Sequence, residues 1–183
     1  MSRALTEHGL QSFFVSPTGD EFAQLRNDAL QTAGYDFLAA SLVALERRLN
    51  HEKPSILLKE LGDISPSFHI CPRYHYVDAR IREALGEVTE MELSIDRLRA
   101  CITAIVETGE GSRVDPFLGL FLTDQDDVLR AIGERSRSSA FVQEKAHAYD
   151  VVTAHSGSEY WFDVTDVVDL RLGNRVSAMV SDV

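Results

Sequence analysis

The sequence is short of cysteine, of cationic residues and of long apolar runs, and each shortage excludes something. Two cysteines, Cys71 and Cys101, in 183 residues cannot make a disulfide framework, so both are read as free thiols in a reducing compartment. No apolar stretch approaches the ~20 residues of a membrane span. The first residues, Met1 to Phe14, carry Glu7 and His8 where an export leader needs an unbroken apolar run. The expected location is the cytoplasm, with no membrane partner. Eighteen Lys and Arg against 29 Asp and Glu leave a net charge of −11. That balance argues against nucleic acid, whose binding relies on clustered cations, and is compatible with a basic protein partner or with solubility alone.

The familiar catalytic strings are missing too. There is no Gly-x-Gly-x-x-Gly, no Gly-Lys-Ser/Thr phosphate loop, no Gly-x-Ser-x-Gly elbow, no His-Glu-x-x-His and no Cys-x-x-Cys. The sequence therefore implies no cofactor and leaves an enzyme uncertain, leaning against one.

What remains is a foldable chain. Its apolar fraction is 44 %, and a chain of this length buries roughly 70 % of its unfolded surface without help from a metal. One domain, 1–183, is expected, mainly helical over 1–112, a mixed connector over 113–147 and β-rich over 148–183. Helices are expected between residues 18 and 107. Thr18 and Glu21 form a capping box before Phe22, Leu25 and Ala29. Leu38, Leu42, Leu45 and Leu49 make one stripe, and Met91, Ile95, Leu98, Ile102 and Ile105 make a second behind a Thr89–Glu92 box. Pro54 and Gly62 bracket a short helix. Residues 63–76, with Pro66 and Pro72, read as an ordered loop, followed by a helix through Val77, Ile81 and Leu85 that Gly86 caps. Thr123 with Asp126 opens another short helix, and Ser136 to Ser139 reads as a loop.

From Ala148 the period becomes two. Tyr149, Val151 and Thr153, then Tyr160, Phe162 and Val164, then Val176, Ala178 and Val180 predict a three-stranded antiparallel meander. The fold class is α+β: a helical, bundle-like N-terminal two-thirds with a small C-terminal antiparallel β-meander packed on it.

One stretch concentrates chemistry. His69-Ile70-Cys71-Pro72-Arg73-Tyr74-His75-Tyr76-Val77-Asp78 holds two imidazoles, a thiol, two phenols, a guanidinium and a carboxylate. His69, Cys71 and His75 are candidate zinc ligands, since zinc prefers nitrogen and thiolate. Cys71, His75 and Asp78 are candidate catalytic groups, a thiol that a neighbouring imidazole would activate. Arg73, Tyr74 and Tyr76 are candidate binding residues. Trp161, alone on one strand face between Tyr160 and Phe162, is a candidate interface anchor. Asp163, Asp166 and Asp169 read as the polar face of a strand and its turn, with a hard cation such as Ca²⁺ as the alternative.

Asp115-Pro116-Phe117-Leu118-Gly119-Leu120-Phe121-Leu122-Thr123-Asp124, running on to Val128 and Leu129, resembles a short segment in the N-terminal regions of some bacterial AAA-type ATPases. The phosphate-binding loop of those enzymes is absent here, so the resemblance implies a non-catalytic helical module.

Two functions follow. The first is a protein-interaction or assembly subunit, an adaptor without catalytic activity that binds a protein partner or self-associates as a homo-oligomer through its apolar stripes. The alternative is an enzyme, or a metal- or small-molecule-binding protein, with its site in the loop His69–Asp78.

Overall fold

The chain opens with helices because its apolar residues recur at helical spacing. In the computed structural model, which describes residue 5 and residues 7–170, α1 (Glu7–Val15) buries Leu10 and Phe13, and α2 (Gly19–Leu30) buries Phe22, Leu25 and Ala29. Thr18 caps α2, its hydroxyl accepting the Glu21 N–H at 3.2 Å. α3 (Ala40–Arg48) turns Leu42 and Leu45 inward, while Leu38 lies outside the helix and is half exposed. α4 (Pro54–Gly62) starts on its proline and buries Leu57 and Leu61.

The expected loop over residues 63–76 is mostly helical. A 3₁₀ turn, Pro66–Ile70, leads into α5 (Pro72–Leu85), which begins at Pro72 and ends at Gly86 with φ +76°. Proline at the first helical position loses no hydrogen bond and presets φ, so Pro72 starts a helix here. α1 is likewise an addition to the helices expected from residue 18 onward.

α6 (Val88–Val106) begins at Glu87, so Thr89 lies inside the helix and its expected capping box does not form. Its deeply buried face is Ser94, Ala100, Cys101, Ala104 and Ile105. Those small residues let α5 approach closely, and of the sequence's long stripe only Ile105 is fully buried. α7 (Leu122–Ala131) is capped by Asp124, not Thr123. One oxygen of Asp124 accepts the N–H of Leu120 at 3.1 Å and of Phe121 at 2.8 Å.

The α+β class holds, with a sheet that differs from the expected meander. Its order is β1 (Phe117–Leu118), β4 (Glu159–Asp163), β3 (His147–Ala154), β2 (Ser136–Glu144). β2, β3 and β4 pair antiparallel, whereas β1 runs parallel to β4 with Phe117 opposite Phe162. Strand structure thus begins well before residue 148, and the stretch 136–139 is the start of β2 rather than a loop. β2 is an edge strand exposed along most of its length, so it carries little of the apolar alternation by which a half-buried strand is read. The expected strand at Val176, Ala178 and Val180 lies outside the described residues.

Asp163 ends β4 and accepts the Thr165 N–H at 2.8 Å; residues 165–170 are helical. Asp163 thus lies on a strand as expected, whereas Asp166 and Asp169 are on a helix rather than in a strand or its turn. Asp166 pairs with Arg26, whose Nε donates to the Gly119 carbonyl at 2.9 Å.

One sheet face, with Val152 and Phe162, packs on the helices. A single hydrophobic cluster runs from Leu10 to Val167, centred on aromatic contacts such as Phe68 stacked on Phe121, 4.7 Å between rings.

Candidate functional site

The chemically dense stretch is split by its own helix. Arg73 on α5 and Cys71, the extended residue just before that helix, face α7, whereas His69 on the 3₁₀ turn and Tyr74, His75 and Asp78, farther round α5 at about 100° per residue, line a cleft on the other side. The cleft encloses about 600 Å³ between α1, α4, the 3₁₀ turn, α5 and α6, within the range of small-molecule sites. Leu10 and Phe14 form one wall and Leu58 and Leu61 another; Arg82 and Arg97 join the polar lining.

His75 is 2 % exposed. One ring nitrogen lies 2.8 Å from the His69 carbonyl. A carbonyl only accepts, so Nε2 carries the proton and Nδ1 is a lone pair. Nδ1 has no hydrogen-bond partner among the described residues, an uncommon and costly condition for a buried polar atom. Phe14 and Tyr74 meet the ring edge-on. Burial, with a smaller repulsion from Arg97, lowers the imidazole pKa to about 3, so the ring is neutral at neutral pH. Burial and then Arg97 also lower His69, and burial raises the Tyr74 phenol.

Asp78 accepts the Ser94 hydroxyl at 2.5 Å and Arg82 Nε at 3.2 Å. Arg82 also donates to Glu87 at 2.6 Å. Arg97 sits over the Phe14 ring, 5.4 Å from its centre, and makes no ion pair among the described residues.

The other candidates lie elsewhere. Cys71 is fully buried, with its sulfur 3.7 Å from the Thr123 hydroxyl and 4.0 Å from Asp124. Burial and the neighbouring Asp124 push its thiol pKa up, so it is no thiolate at neutral pH. The Cys71–His75 nucleophile pair is not formed. Neither is the His69–Cys71–His75 ligand set: among the described residues no group of three or more His, Cys, Asp or Glu is placed to hold a metal. Arg73 is buried between Asp127, at 2.6 Å, and Glu46, at 2.9 Å, and stacks over Tyr76. Asp124, held without solvent, has its carboxyl raised by burial to about 7, against the opposing pull of the two backbone N–H groups it accepts.

Trp161 is half-buried on the outward sheet face, edge-on to Tyr149 and covered by the Arg113 guanidinium at 5.6 Å. Arg113 in turn donates to Glu144 at 2.7 Å.

Comparison with protein-family models, with curated proteins and with solved structures finds no match to this chain. In the structure, the Asp115–Leu129 segment forms β1, the buried Leu120–Phe121 step and most of α7. No helix among the described residues is long and apolar enough to cross a membrane.

Sequence reasoning missed Arg82, Arg97 and the α1 and α4 walls. A signal for Arg97 was present: the spacing Ser94, Arg97, Cys101, Ala104 puts a guanidinium on the helix face that turns inward. The denser stripe of Ile and Leu beside it masks that cation in the sequence.

Proposed function

We propose that this chain is a non-catalytic binding protein whose cleft between α1, α4, α5 and α6 admits a small, largely apolar ligand. The observation that carries this reading is the convergence of His69, Tyr74, His75, Asp78, Arg82 and Arg97 on one apolar-walled space of about 600 Å³. Apolar walls supply affinity and a few placed polar groups supply orientation. Among the described residues the cleft holds no activated nucleophile, which disfavours the catalytic version: His75 is a neutral buried imidazole, burial raises the Tyr74 phenol, and the Asp78 carboxylate is already engaged by Ser94 and Arg82.

The test uses a neutral environment-sensitive dye, Nile red. Gly62 lines the cleft, and a side chain there would begin in open space, so Gly62→Phe should fold normally while obstructing the cleft. Saturable one-site dye binding, weakened roughly tenfold in Gly62→Phe, is expected. Equal binding by both proteins, or none by either, would overturn the reading.

The adaptor reading is favoured by a separate observation. β2 is an exposed edge strand without proline, and its Phe141 is 55 % exposed. Such an edge is a template for pairing with another chain. A concentration-dependent mass in light scattering, abolished by Phe141→Lys, is its expected result; a monomer at every concentration would remove self-association at that strand.

A further inference from the structure

Among the described residues the cleft holds one uncompensated charge, and that charge names the ligand class. Arg82 is balanced by Asp78 and Glu87. Arg97 has no carboxylate partner among the described residues and rests on the Phe14 ring. A guanidinium is always charged and presents a planar fork that matches a carboxylate with two parallel hydrogen bonds. In a chain of net charge −11, a half-buried arginine with no acidic partner among the described residues offers a place for an anion.

The same charges argue against larger anions. The imidazoles of His69 and His75 lie beside Arg97 but are held neutral by burial, so they add no positive charge. With Arg82 balanced by Asp78 and Glu87, one guanidinium without a carboxylate partner among the described residues suits a monoanion better than a phosphate or dicarboxylate. Beside the polar Gln11 and Tyr74, the lining includes Leu10, Phe14, Leu58 and Leu61, which offer a surface for hydrocarbon. Resting on the cleft reading above, we propose that the ligand is a free monocarboxylic acid with an apolar body, its carboxylate on Arg97 and its tail between α1 and α4.

Calorimetric titration at neutral pH tests this with octanoate, 1-octanol and octyl phosphate. The full chain is expected to bind octanoate at least roughly tenfold tighter than 1-octanol, a charge-assisted pair being the difference. Arg97→Gln should erase that preference while leaving 1-octanol binding in place. Arg97→Lys, which keeps the charge without the fork, should give an intermediate preference and serves if the first variant unfolds. Equal binding of octanoate and 1-octanol, or a preference that survives Arg97→Gln, would overturn the carboxylate assignment and leave the cleft reading standing. Binding of neither would overturn both. Tighter binding of octyl phosphate would replace the carboxylate by a phosphate. An acetylated trileucine peptide with a free terminal carboxylate, if it bound more tightly than octanoate, would assign Arg97 to a chain end and overturn the free-acid proposal.

Discussion

His75 and Arg73 sit two residues apart on α5, are both buried, and are stabilised in opposite ways. Arg73 keeps its charge because Asp127 and Glu46 surround it. Truncating such a partner strands the opposing charge without water, at about 3–5 kcal/mol. Arg73→Met should therefore lower the unfolding free energy in urea by roughly that amount; a loss no larger than that of a surface substitution would contradict the buried triad. His75 instead surrenders its charge. Its folded-state pKa of about 3 lies below the ordinary 6.5, so between these values the unfolded chain binds the extra proton. The stabilising effect of a neutral His75 is complete above about pH 6.5 and is lost as pH falls toward 3. His75→Gln, whose amide still donates but does not titrate, should be less stable than the parent at neutral pH and lose less stability on acidification to about pH 4. Parallel pH curves for the two proteins would contradict a buried neutral imidazole facing His69, Tyr74 and Arg97. The residue list of this stretch was legible in the sequence; its division was not. Cys71 and His75 look adjacent in the chain, but Cys71 stands in extended conformation just before α5 with its sulfur at Thr123 and Asp124, while His75 lies on the helix and turns into the cleft.

At the scale of elements, local chemistry decided more than periodicity did. Thr18 caps α2 and Gly86 ends α5 as their residue types predict, because a cap is a contact between near neighbours. The Thr89 box fails because α6 starts earlier, with Glu87 at its cap, which leaves Thr89 inside the helix. β2 was unreadable for the reason edge strands usually are: with most side chains exposed, nothing forces apolar alternation. The link between the helical and β parts depends on Gly111, which has φ +69° and lies against the Phe117 ring where a Cβ would stand. Its carbonyl accepts the Trp161 N–H at 2.9 Å, joining the turn after α6 to β4. Gly111→Ala should cost about 2–3 kcal/mol, the sum of a left-handed backbone penalty and overpacking. A thermal midpoint within error of the parent would contradict that junction.

For the whole molecule, the α+β class follows from a switch of period along the chain, and that switch was visible. The cleft was not, because its walls come from four helices far apart in sequence, and only the packed fold brings Phe14, Leu58, His75 and Arg97 together. The net charge of −11 speaks about solubility and nonspecific partners, and it conceals a local reversal of sign at Arg97. The proposed ligand binds in this cleft and not at the outward sheet face. Amide chemical-shift mapping during a titration with octanoate tests it directly. Perturbations are expected to cluster at Phe14, Leu58, Gly62, Tyr74 and Arg97, with Tyr149 and Trp161 unmoved. Perturbations centred on Tyr149, Trp161 and Phe141, or none anywhere, would contradict it.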